Sequence, residues 1–280
     1  MKTIKGSVLF ISVVSLISSC FNPPEFSVIP KISLNSMYYG QSTEADSIVV
    51  ALTFQDRDGD LGFDATNPDD TEYPYNFFNY YLASNGTIKP IPASPPNGTS
   101  DFYFINRNGE TGKLVTAQTR DDVAYQDDLP PYAPESCSYS TESLFVPEID
   151  SGIIDPNTTD IVETGNPLTV AGTFYHTINP NYYNITIEIL EQTTTGFKPI
   201  IFLASGCNAG SEFNARFPLL TKENDNVPLE GVLTYSIKST GFQSKIGIRP
   251  FKIRIQIKDR ALHLSNVIES KVVTLDKIRK

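Results

Sequence analysis

Between Phe251 and Lys258 every second residue is large and apolar: Phe251, Ile253, Ile255 and Ile257 alternate with Lys252, Arg254, Gln256 and Lys258. A period of two puts the first set on one face and the charged set on the other only if the backbone is extended. The segment therefore reads as a strand with one face in a core and one in water. Ile48, Val50, Leu52 and Phe54 repeat the pattern, as do Tyr183, Ile185, Ile187 and Ile189, then Leu233, Tyr235 and Ile237, and less regularly Val267 to Leu275. Turn residues separate these runs, among them Asn85-Gly86, Asn97-Gly98 and Asn108-Gly109, and Asn-Gly favours tight hairpins. Thr193 to Gly196 reads as another hairpin. The chain shows no convincing amphipathic helix of ten or more residues, and 40% hydrophobic residues supply a substantial core. The expectation is an all-β, immunoglobulin-like β-sandwich.

Periodicity weakens between about residues 64 and 180, where Asp, Pro, Asn, Ser and Tyr accumulate. This interval reads as a long, loop-rich insertion in one sandwich spanning 28–280. The alternative is two sandwiches split near residue 160.

The N-terminus speaks to location. Lys2 and Lys5 precede an apolar run from Val8 to Ile17, shorter than the roughly 20 residues a membrane-spanning helix needs but suited to a signal peptide. Ser18-Ser19 then lead into Cys20, so residues 1–19 read as a lipoprotein signal, Cys20 as the lipidated residue and 20–27, with Pro23-Pro24, as a tether. The expected location is the outer membrane, with the facing side open. Cys137 and Cys207 remain as a pair in an export compartment, where a disulfide is expected; two separately buried thiols are the alternative. A formal charge of −10 and pI ≈ 4.7 exclude nucleic acid as a natural partner and suit divalent cations or basic protein surfaces.

One stretch carries candidate chemistry. In FQDRDGDLGFD, Asp56, Asp58 and Asp60 alternate and Asp64 follows, around Gly59 and Gly62. Alternating carboxylates on a tight loop can converge on Ca²⁺, which accepts six to eight oxygens. An EF-hand needs Gly at loop position six and Glu at twelve; counted from Asp56, Leu61 and Asn67 stand there. A calcium loop and a solvated acidic turn both remain open, while paired catalytic carboxylates lack the distinct environments they need. In an immunoglobulin-like sandwich the second and penultimate strands run the same way, so their exit loops lie together. That brings Asp259 towards the aspartate loop, either as a further ligand or with Arg260 as a neutralising cation. His176 and His263 read as packing or surface residues, and neither they nor Ser205-Gly206-Cys207 form a nucleophilic arrangement. The clusters Tyr38-Tyr39, Phe77-Phe78-Asn79-Tyr80-Tyr81 and Tyr182-Tyr183 divide between core and exposed positions, and the exposed members can serve a glycan or peptide platform.

TFQDRDGDLG, FNARFPLL, PLEGVLTYSI and IQIKDRALHLSN, in that order, resemble motifs of a group of uncharacterised Bacteroidota outer-membrane lipoproteins. The resemblance implies an immunoglobulin-like β fold on a lipid anchor and no established activity. Surface-exported lipoproteins of that phylum carry an acidic run after the cysteine; here Glu25 stands alone. Asp46-Ser47-Ile48 is similar to the phylum's O-glycosylation sequon, making Ser47 a candidate modification site. The functional expectation is a non-enzymatic accessory or structural subunit that binds an outer-membrane protein partner and is stiffened by calcium, with a glycan- or nutrient-binding surface module as the alternative.

Overall fold

The computed structural model describes residues 26–84, 87–92, 113–115, 127, 129, 139–146, 152–154, 161–163, 168–202, 213–221 and 227–280. The signal sequence, Cys20, Cys137 and Cys207 lie outside these residues. The chain is all-β, built of antiparallel sheets with two four-residue helices among the described residues.

β1 (Lys31–Gly40) and β2 (Asp46–Asp56) form a hairpin, and α1 (Pro68–Thr71) follows with Asn67 as its N-cap. The interval expected to be loop-rich instead supplies strands: β3 (Phe78–Ser84), β4 (Thr87–Pro92), β5 (Lys113–Leu114), β6 (Tyr139–Val146), β7 (Gly152–Ile154), β8 (Ile161–Glu163) and β9 (Leu168–Ile178). Then come β10 (Ile185–Thr193), β11 (Gly196–Pro199), β12 (Leu229–Ser239), α2 (Phe242–Lys245), β13 (Phe251–Ile257) and β14 (Ile268–Glu269). The expected last strand, Val267 to Leu275, is reduced to β14, because the chain then turns into a 3₁₀ segment over Leu275–Ile278.

One sheet has the order β1-β2-β12 and a second the order β11-β10-β13-β14. Ile48, Val50, Leu52, Phe54, Leu233 and Ile237 of the first meet Ile185, Ile187, Ile189, Phe251, Ile253, Ile255 and Ile257 of the second in one buried cluster. Each such side chain contributes about 1.5–3 kcal/mol on burial, and burial along β13 alternates strictly. Alternation fixes the register, since a one-residue slip would turn every Ile to water.

The inserted strands form a separate sheet, β4-β3-β9-β6, with β5 also against β3, and a small β7-β8 pair. Tyr81, Ala83, Val115, Leu129 and Tyr175 make its own buried cluster. Pairing crosses residue 160 in both bodies, β9 with β3 and β2 with β12, so the insertion is bounded by β2 and β10 and the chain does not divide at 160. Weak periodicity in this interval has a physical cause: aromatic rings such as Tyr80 and Tyr81 are buried on successive positions, so burial there does not follow a period of two.

Candidate metal centre

β2 and β13 run in the same direction and end at the same edge of the sandwich, so the loops that leave them touch. The Arg260 amide donates to the Asp60 carbonyl at 3.3 Å, and the Ala261 amide donates to Asp60 Oδ2 at 3.0 Å. The aspartate loop folds tightly because two positions are glycine. Gly59 has φ +68° and Gly62 φ +98°; a Cβ on them would stand 2.4 Å from the Val227 carbonyl oxygen and 2.3 Å from that of Pro218. Leu61 between them is fully buried and Phe63 nearly so, anchoring the loop in the core. Gly62→Ala is expected to cost about 3 kcal/mol or more in chemical denaturation, through backbone overlap plus left-handed strain. Gly196→Ala is the control, since Gly196 has φ +139° but open space around it and should lose only the strain, about 1 kcal/mol.

Asp56, Asp58 and Asp60 each offer one oxygen within 4.8 Å of the others. Asp56 is 0% exposed and Asp60 9%. Four of their carboxylate oxygens, both of Asp56, Oδ1 of Asp58 and Oδ1 of Asp60, are buried without a hydrogen-bond partner. An unpartnered buried carboxylate is among the most costly arrangements in a protein. Burial, and then the charges of Asp58, Asp60 and Asp259, push the Asp56 carboxyl up to about 7. Burial and the charges of Asp259 and Asp58 push Asp60 up to about 6, against the Ala261 amide and Arg260. Three converging carboxylates, with four buried oxygens free of hydrogen bonds, suit a hard cation with oxygen ligands.

Asp259 lies beside this group but is used differently. It is fully buried, its Oδ1 accepts the His263 amide at 2.7 Å and its Oδ2 meets His263 Nδ1 at 2.9 Å. Its charge faces Asp60 while its oxygens hold the exit loop of β13, where Leu262 has φ +67°. His263, read from sequence as packing or surface, is therefore a partner of Asp259, four residues on. That spacing is the sequence signal for it.

Asp64 is not part of the cluster. Its carboxylate accepts from the Thr66 amide at 2.8 Å and the Thr66 hydroxyl at 2.7 Å, closing its own turn, and these bonds lower its pKa. The buried carboxylate from this segment is Asp70, at 2% exposure. It accepts the Asp64 amide at 2.8 Å and lies 3.7 Å from Arg260. Arg260 thus stands between the two groups, its Nε donating to the Asp60 carbonyl at 3.3 Å and its charge facing both Asp60 and Asp70.

Sequence patterns gave no sign of Arg216 as a joint. Its guanidinium lies 4.0 Å from the Phe63 ring centre and 4.7 Å from that of Tyr182. It donates to the carbonyls of Tyr75 at 3.0 Å and Tyr182 at 2.9 Å, and to that of Asp70. The Tyr75 hydroxyl in turn donates to the Arg260 carbonyl. Beside Arg216 opens a cleft of about 950 Å³ lined by Phe63, Phe77, Phe78 and Tyr182 among others. Tyr39, Tyr80 and Tyr81 are buried instead. His176 is buried against Phe78, and burial lowers its pKa to about 4. Ser47 sits at the start of β2, half-buried.

No protein-family model, curated protein or solved structure matches the chain.

Proposed function

We propose that the protein is a non-enzymatic, lipid-anchored outer-membrane lipoprotein: an immunoglobulin-like β-sandwich that works through protein contacts and is locked at one end by Ca²⁺. The observation that carries the cation is the set of four buried, unpartnered oxygens on Asp56, Asp58 and Asp60. A divalent ion would neutralise them, and water and backbone oxygens would complete its six to eight positions. The ion would fasten the aspartate loop, which is hydrogen-bonded to the β13 exit loop and, through Asp70, Tyr75 and Arg216, to the Tyr75 and Tyr182 segments that flank the inserted sheet. The role is therefore to stiffen the frame that presents the insertion. Cys20, with its signal-like leader, supports the anchor, and the acidic charge supports a partner with a basic surface.

Calorimetric titration of the cation-stripped protein is the test. One Ca²⁺ is expected per chain, Mg²⁺ should bind far more weakly because its small octahedral shell is reluctant to dehydrate, and Asp58→Ala should abolish binding. No heat and no competition with a calcium indicator would remove the ion from the account. Mild detergent extraction should also recover a stoichiometric membrane partner.

The cleft beside Arg216 favours a second reading, a glycan- or nutrient-binding module. Aromatic faces flanked by a few polar groups suit a sugar ring; a glycan array with no bound spot sinks this reading.

A further inference from the structure

The edges of the sandwich are treated unequally. β1 is covered: Asn266 both accepts from the Ile32 amide at 2.8 Å and donates to the Ile32 carbonyl at 2.9 Å, and the Lys280 amide donates to the Tyr39 carbonyl at 3.0 Å. β11 is four residues long, with Lys198 and Pro199 at its end, and β14 is two residues long. Short strands, lysine and proline are the usual protections of an edge against another chain. β12 has none of them along its middle. It is eleven residues long and pairs with β2 throughout, from Leu229 opposite Asp56 to Ser239 opposite Asp46. Among the described residues no backbone group bonds its other side. Val232 to Ile237 is six uncharged residues, rich in β-branched and aromatic side chains.

The charges at its two ends identify an occupant. Glu230, Val232, Thr234, Ser236 and Lys238 are all exposed on the outer face, with Val232 at 55%. If a second β12 lies antiparallel about a twofold axis at Thr234, normal to the sheet, residue pairs sum to the same register. Glu230 then faces Lys238 of the second copy, and Lys238 faces its Glu230. Val232 faces Ser236 twice, and Thr234 faces itself. On the core side Leu233 meets Tyr235. A shift of two residues either way loses both ion pairs, and a shift of one turns core side chains out. Glu230 has only a 3.4 Å contact with Gln55 to give up. We propose that β12 is a self-recognition edge, and that two copies of this chain join through it into a continuous six-stranded sheet. Isologous pairing of one surface with itself is the commonest form of protein dimer. The inference goes beyond the protein-contact reading above and adds to the membrane partner a second copy of this chain.

The test is sedimentation of the full chain in non-ionic detergent, with charge-swap variants and a cross-link. A dimer is expected. Glu230→Lys should weaken it by roughly tenfold or more, because two opposite-charge pairs become two like-charge pairs. Lys238→Glu should do the same, and the double swap should restore it, with the melting temperature of the dilute, dissociated protein unchanged since both side chains are exposed. Under oxidation Thr234→Cys should give a covalent dimer that the wild type does not. A monomer at roughly 100 μM with no Thr234→Cys link overturns the inference. So does a dimer that neither single swap weakens. A monomer that still recovers a membrane partner overturns self-pairing and leaves the protein-contact reading standing.

Discussion

At pH 8, saturating calcium is expected to raise the melting temperature by about 5–10 °C over the chelated protein, and most of that gain should vanish near pH 6. Calcium at about 100 times its dissociation constant adds about 2.7 kcal/mol, and a chain of this size gains about 2–4 °C per kcal/mol. The pH dependence follows from Asp56, raised to about 7, and Asp60, raised to about 6. Both values stand above the ordinary 3.8, so the folded chain holds these protons more tightly than the unfolded chain does. Their stabilisation is full below about 3.8 and is lost as pH rises through 6 and 7. Chelated protein should therefore be more stable at pH 6.5 than at pH 8, by about 1 kcal/mol. His263, raised by its bond to Asp259, acts in the same direction. His176, lowered to about 4 by burial, opposes as pH falls through its ordinary 6.5, offsetting about 0.4 kcal/mol at pH 6.5 and more below it, so the comparison is kept to pH 6.5–8. Calcium competes with the same protons, so its affinity falls as acid is added. Differential scanning fluorimetry at several pH values, with and without chelator, measures both trends. A chelated protein that melts lower at pH 6.5 than at pH 8 would contradict the buried-carboxylate account.

Arg216→Met is expected to lower stability by about 3–5 kcal/mol, or roughly 10 °C. The change keeps much of the volume but leaves the carbonyls of Tyr75, Tyr182 and Asp70 without their donor and removes the cation between Phe63 and Tyr182. Arg216→Lys should recover only part of this, because one ammonium cannot fork to several carbonyls while stacking between two rings. Arg254→Met is the comparison. Arg254 bonds Glu188 at 2.9 Å and Glu269 at 3.0 Å, but with 43% side-chain exposure, and its loss should cost under about 1 kcal/mol. Equal effects at the two sites would mean that Arg216 does not join the insertion to the sandwich. Hydrogen exchange adds a regional readout: in Arg216→Met, protection should fall first around Tyr75 and Asn179, whose side chain ties Pro74 and Asn76 to the end of β9.

How far each element was legible depended on whether its determinant was local. The aspartate loop could be read because Asp56, Asp58 and Asp60 alternate within five residues and the glycines that let them turn lie among them. Its fourth expected member, Asp64, was misplaced by proximity in sequence: beyond Gly62 the chain has turned away, and Asp64 is satisfied by Thr66. Asp70 takes the buried position near Arg260, although nothing in Pro68-Asp69-Asp70 distinguishes it from any polar turn. His263 carried a weak signal in its spacing from Asp259. Arg216 carried none, because its hydrogen-bond partners are carbonyl groups, which every residue possesses, and the two rings it lies between are distant in sequence.

The sequence by itself determined an all-β body, since period-two alternation with Ile and Phe on one side has a single low-energy solution, a half-buried strand. It determined the end of the sandwich at which the aspartates gather, because strand direction follows from the order of hairpins. Only the tertiary structure decided that strands within the interval 64–180 form a sheet of their own, that Asp56 and Asp60 lose their water while Asp64 keeps it, and that β12 has an open edge among the described residues. Each of these depends on which distant segment covers a given group, and burial is a property of the packed chain that no local pattern encodes.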